Sequence, residues 1–297
     1  MTYSIVARDP ETGELGVAVQ SHWFSVGSVV SWAVAGVGAV ATQALADPSY
    51  GPLGLELMRA GRSAEDTLTA LLAGDSGAGR RQIGFVDGQG GAAAHTGPGC
   101  IAEAGHYVGH GFTTQANLMA HSTVWGAMAD AYGSAEGDLT SRLLTALDAA
   151  QAEGGDIRGR QSAALLVVTG SPTGRPWDDT VFDIRVEDHP DPLVELHRLV
   201  DLGRAYHRMT AGDDAMGAND LFSALDHYRA AETMAPQVAE IPFWKAMTLA
   251  GNGLVEDALP VFAQVFAAEP LWREVVPRVV ASGVIELDDD TVALILR

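Results

Sequence analysis

The sequence predicts an α+β fold of antiparallel sheets covered by helices over residues 1–190, followed by a small all-α, repeat-like domain over residues 193–297. Three observations predict it. The chain opens on a β-hairpin, pairs of strand-like runs then alternate with helix-like runs, and past His189-Pro190-Asp191-Pro192 the texture becomes alanine-rich and helical.

The hairpin comes first. Residues 3–9 and 15–20 are apolar and β-prone, and they flank Pro10-Glu11-Thr12-Gly13, a turn with proline and glycine in favoured places. Centring the turn between Glu11 and Thr12 pairs Thr2 with Ser21 and puts His22 beside them. Residues 29–42 are β-rich with a turn near Ala35-Gly36, and a loop then runs from Thr42 to Gly51. Apolar spacing predicts one or two helices over 52–74, with Ser63 as an N-cap and Asp66 three residues on. Strands at 81–87 and 90–96 flank the glycine-rich turn at 87–90, and a single β segment covers 106–115. Helices at 117–132 and 138–153 follow, then a fully buried strand at 161–168 and another at 180–187, giving three or four layers.

The helical part carries a repeat. Ala224, Tyr228, Ala231 and Pro236 recur as Ala258, Phe262, Val265 and Pro270 at a constant offset of 34, the period and pattern of the second helix of tetratricopeptide units.

Composition excludes several functions. With 38 acidic against 18 basic residues, the net charge of −20 argues against nucleic acid and anionic membrane as partners. Lys245 is the only lysine, so lysine chemistry is absent from the first 244 residues. Cys100 is the only cysteine, which rules out an intramolecular disulfide, and a small buried thiol is its simplest reading. No basic segment followed by an apolar run opens the chain, so the expected location is the cytoplasm. His95, His106, His110 and His121 lack paired ligand spacing, so neither metal nor cofactor is expected. The partners left are a small-molecule substrate and, through the helical domain, a protein or a second copy of the chain.

The chemistry centres on Thr2. Removal of Met1 would give Thr2 a free α-amine, placing nucleophile and base in one residue, the amine having a reference pKa of about 7.7–8.0. Ser21 and His22, at the hairpin's return, are candidates to touch the substrate. Gln43 and Tyr50 lie in the loop after a strand, where binding groups commonly sit. The block Gly155-Asp156-Ile157-Arg158-Gly159-Arg160-Gln161-Ser162 is dense in polar groups that must pair with each other or with a ligand. In it, Asp156 is the candidate to orient the amine, Arg158 to grip a substrate carboxylate, and Gln161 to contact the substrate as well. A structural Asp156–Arg158 ion pair is the competing account. Asn117 stands where a strand hands over to a helix, the place of an N-cap.

Five blocks carry a family resemblance: residues 2–9, Gly36-Val37-Gly38-Ala39-Val40-Ala41-Thr42-Gln43, Pro48-Ser49-Tyr50-Gly51, Ala104-Gly105-His106 and residues 155–162. Together they resemble the DUF1028 family over roughly residues 1 to 190, with the fold of the N-terminal nucleophile (Ntn) hydrolases. The resemblance implies an αββα sandwich, Thr2 as nucleophile, hydrolysis of a C–N bond in a small amide or imine, and Asn117 as an amide donor to the tetrahedral oxyanion. The lysine that proteasome-type relatives place near the nucleophile has no counterpart here. Two alternatives stay open, an imine deaminase that activates water and a non-catalytic Ntn-like scaffold with a protein-binding helical tail.

Overall fold

The computed structural model of the chain describes residues 2–297. These divide into two compact units, the first ending at Leu199 and the second spanning Val200–Arg297.

The first unit contains ten strands: β1 (Thr2–Arg8), β2 (Leu15–Ser21), β3 (Ser31–Val34), β4 (Gly38–Ala44), β5 (Arg81–Asp87), β6 (Ala92–Thr96), β7 (Gly105–Gly109), β8 (Phe112–Asn117), β9 (Ser162–Val168) and β10 (Thr180–Val186). They form a six-stranded sheet of order β10-β9-β2-β1-β8-β7 and a four-stranded sheet of order β3-β4-β5-β6, with antiparallel pairing throughout. The helices are α1 (Gly27–Val30), α2 (Tyr50–Arg59), α3 (Ala64–Gly74), α4 (Val124–Ser134), α5 (Leu139–Ala152) and the start of α6 (Pro192–Gly217).

Side chains on a strand alternate between faces, and β1 shows what each face meets. Val6 joins Leu15, Val17 and Val19 of β2 against Ala39, Ala41 and Val86 of the other sheet, so one face of each sheet closes on its partner. Tyr3 points the opposite way and reaches Gln151 of α5. Helix α5 covers β1 and β2, α4 covers β7 and β8, and α2 and α3 cover β4, β5 and β6. Burying each large aliphatic residue in these layers contributes about 1.5–3 kcal/mol.

The expected hairpin register is present, Thr2 opposite Ser21 and Arg8 opposite Leu15. Ser63 caps α3 by accepting a hydrogen bond from the Asp66 amide at 3.1 Å. Two expectations need correction. The β segment expected over 106–115 is two strands, because Gly111 takes a positive φ of 77° and reverses the chain between them. The helix expected from residue 117 begins at Val124, so Asn117 ends β8 and caps no helix. Leu118 adopts a φ of 56°, and Met119 then pairs with Asp156, which holds the intervening segment out of the helix.

The second unit contains the rest of α6 with α7 (Leu221–Met234), α8 (Glu240–Gly251), α9 (Val255–Ala268), α10 (Trp272–Ser282) and α11 (Asp289–Ile295). Both copies of the repeat bury their small and aromatic positions, Ala224, Tyr228 and Ala231 on α7 and Ala258, Phe262 and Val265 on α9. No described helix is long and apolar enough to cross a membrane.

Candidate functional site

Thr2 lies between two strand ends, paired with Ser21 of β2 on one side and Asn117 of β8 on the other. Its hydroxyl donates to Ser21 Oγ at 3.0 Å, and the residue is 4% exposed. Removal of Met1, on which its use as a nucleophile depends, lies outside the described residues.

Behind Thr2 a set of buried amides joins the two sheets. Gln43 Nε2 donates to the Thr2 carbonyl at 3.2 Å and to Gln82 Oε1 at 2.7 Å, while Ser4 Oγ donates to Gln43 Oε1 at 2.6 Å. Gln115 Nε2 in turn donates to Ser4 Oγ at 2.7 Å. Asn117 Nδ2 donates to Gln82 Oε1 at 2.7 Å and approaches the Thr2 carbonyl at 3.5 Å. Gln82 Nε2 completes the set, donating to Ala116 O at 2.8 Å and Thr96 Oγ1 at 2.9 Å. Ser4, Gln43, Gln82, Gln115 and Asn117 are all wholly or almost wholly buried. Gly84 is glycine because Gln115 Oε1 occupies the place a Cβ would take. The Asn117 amide nitrogen is thus engaged within the protein, and its carbonyl oxygen is buried without a partner.

Thr96 Oγ1, which accepts from Gln82, also hydrogen-bonds His106 Nδ1 at 2.8 Å and so carries the set out to β7. Burial, followed by the neighbouring His95, lowers the pKa of His106, in keeping with a neutral ring. Gln82, Gln115 and Thr96 were not singled out in the sequence. The signal was present in polar residues at alternate positions of apolar strands, Thr2 and Ser4 on β1 and Gln115 and Asn117 on β8.

On the other side of Thr2 the polar block has folded onto the hairpin. Arg158 grips Asp156 with both arms, Nε to Oδ1 at 3.0 Å and Nη2 to Oδ2 at 2.7 Å, and the His22 amide donates to Oδ2 at 3.3 Å. The Asp156 carboxylate is fully buried and the Arg158 side chain is 28% exposed, so this pair is an internal ion pair at the edge of the site. His22 Nδ1 is buried without a partner. The Gln161 backbone amide donates to Ser21 O, but its side chain reaches Asp188 at 3.1 Å and not Thr2. Tyr50 is the first residue of α2, not part of the loop, and its hydroxyl donates to Asp75 at 3.1 Å.

Next to Asn117 a cavity of about 190 Å³ opens between Ala44, Leu45, Arg80, Cys100 and Ile101. Arg80 makes no ion pair or side-chain hydrogen bond among the described residues, so it is the cation at this mouth that remains available to a ligand. The Cys100 thiol donates to Arg81 O at 3.4 Å, and burial raises its pKa, which makes it a poor nucleophile. Ala44, the last residue of β4, and Leu118, the residue after β8, hold left-handed φ values of 69° and 56°. Such strain costs about 1–3 kcal/mol per residue and gathers at functional sites. Around this end Trp23, Leu45 and Ile157 are more than half exposed, and Ile101 nearly so at 47%.

Fold and site thus define a two-sheet α+β protein whose first strand begins in a cluster of buried amides. A model of a family of unknown function, DUF1028, matches residues 2–196. The crystal structure of protein SPO2555 from Silicibacter pomeroyi, of the same family, is similar at a TM-score of 0.61 and 33% identity, over 67% of this chain and 84% of that one. No curated protein matches the chain. The chain belongs to the DUF1028 family.

Proposed function

We propose that the chain is an Ntn-type hydrolase of the C–N bond of a small amide or imine, with Thr2 as nucleophile. The observation that carries this reading is the setting of Thr2, its hydroxyl on Ser21 Oγ and its carbonyl on Gln43 Nε2 at the first position of a central strand. Helices, sheet, sheet and helices in succession support the αββα sandwich of that class. The 34-residue recurrence, buried identically on α7 and α9, supports a tetratricopeptide-like reading of the second unit.

In the proposed reaction, Met1 is removed and the α-amine of Thr2 takes the hydroxyl proton as Oγ1 attacks the substrate carbon. With an amide the amine then returns the proton to the leaving nitrogen, and water hydrolyses the acyl ester to the acid and free Thr2; with an imine the proton goes to the C=N nitrogen, and water then replaces the departing amine and releases the carbonyl compound and Thr2. Gln43 fixes the Thr2 backbone, and Asp156, held by Arg158, fixes the strand end that carries His22. The unpartnered His22 Nδ1 offers a contact to substrate. The cavity beside Asn117 takes the substrate body, with Arg80 rather than Arg158 facing any anionic group, since Arg158 is already committed to Asp156.

Intact mass and covalent labelling test this. Protein from its native host is expected to lack Met1 and to gain one adduct on Thr2 from a small electrophilic lactone. Thr2→Ala should lose both the adduct and turnover of a panel of small amides and imines, by orders of magnitude. Retention of Met1, or turnover by Thr2→Ala within about tenfold of wild type, sinks the nucleophile and favours the inert scaffold.

A further inference from the structure

The second unit carries a larger, half-open pocket of about 590 Å³ between the end of α6, helices α7 and α8 and the turn after α10. Small-molecule sites span about 300–1,000 Å³. Trp244, Met247 and Ile285 give it apolar walls, while Asp213 and Glu286 bring two carboxylates and no lining residue is cationic.

Asp213 is held in place from below. Tyr228 is 1% exposed and donates its hydroxyl to Asp213 Oδ1 at 2.6 Å. Its ring lies against Gly212, where a Cβ would come within 2.9 Å of it, so ring and carboxylate are fixed relative to α6. Burial first, and the bond to Asp213 second, raise the Tyr228 pKa, so the phenol stays protonated and keeps donating. Thr248, buried beneath, hydrogen-bonds the same phenol. The result is a carboxylate oriented by one buried donor at the edge of an aromatic and apolar pocket. Neither Asp213 nor Glu286 has an ion-pair partner among the described residues.

We propose that this cavity binds an organic cation on an apolar stem, an alkyl ammonium or guanidinium whose charge meets Asp213 and Glu286 and whose stem lies along Trp244. A carboxylate ligand would meet like charge there. A cation gains both the fixed carboxylate and an aromatic face. The charge can come from a free amine or from a lysine or arginine side chain.

Calorimetric titration of the full chain with hexylamine, agmatine, a blocked lysine amide and hexanoate tests the proposal. At least one cation is expected to bind saturably at millimolar concentration, and hexanoate is not. Asp213→Asn, which keeps shape and the acceptor for Tyr228, should weaken that binding by about tenfold or more. Preference for hexylamine or agmatine identifies a free amine, and preference for the lysine amide a side chain. If Asp213→Asn fails to melt cooperatively, the exposed Glu286→Gln carries the same test. Hexanoate binding as tightly as the amines, no saturable cation binding, or unchanged affinity in a folded variant overturns the proposal.

Discussion

Gln82 uses every polar atom of its side chain between the sheets. Its carbonyl accepts from Gln43 and Asn117, and its amide reaches Ala116 O and Thr96. Replacing it with leucine would fill the volume yet leave the amides of Gln43 and Asn117 without that acceptor. Gln43 Nε2 keeps the Thr2 carbonyl, whereas Asn117 Nδ2 loses its one short acceptor; an orphaned buried donor costs about 1–3 kcal/mol, so Gln82→Leu should destabilise by roughly 1–3 kcal/mol. Urea unfolding would read this as a lower midpoint at unchanged slope. A loss below about 0.5 kcal/mol, the size of an ordinary surface change, would show that the amides are not coupled. Arg158 makes the matching point about charge, since its guanidinium serves Asp156 while Arg80 faces the cavity.

At the scale of elements, the segment joining β4 to α2 forms one wall of the cavity beside Asn117 and is tied down by a small charged cluster. Arg81 Nε donates to Asp75 at 2.7 Å and Arg81 Nη1 to Leu45 O at 2.6 Å, while Tyr50 of α2 donates to Asp75. The Asp75 pKa falls from 3.8 to about 2, chiefly through the Arg81 hydrogen bond and then the Gly77 amide. The folded state therefore binds this proton more weakly than the unfolded one. Its contribution is present above pH 3.8 and disappears as the pH falls toward 2. Asp75→Asn should lower stability at neutral pH and flatten the stability curve across that window. Denaturant midpoints measured against pH check it, and an unaltered acid limb would refute the linkage.

At the scale of the whole molecule, the division into units falls at Leu199, inside α6, and not in the proline-rich stretch before it. The reason lies in Leu193 and Leu196, 4% and 0% exposed, which count with the first unit although they follow the prolines. His197 binds Asp148 of α5 at 2.9 Å in the same unit. A chain ending at Leu199 should be soluble and melt cooperatively, whereas one ending at Asp188 loses both leucines, each worth about 1.5–3 kcal/mol of burial. Parallel expression and thermal melting of the two truncations decide it. Equal behaviour would return the boundary to the prolines.

The sequence by itself determined what is local and periodic. The register from Thr2 to Ser21, the Ser63 cap, the antiparallel strand pairs and the 34-residue recurrence follow from turn chemistry and from spacing along one strand or helix. The break at Leu118 was not legible, because its left-handed backbone follows from the pairing of Met119 with Asp156, far apart in the chain. Nor was the gathering of Gln43, Gln82, Gln115 and Asn117 behind Thr2. Alternation along a strand tells which residues face inward, but not which residues of another sheet they meet. Only the packing of one sheet on the other decided that Gln82 joins Gln43 to Asn117.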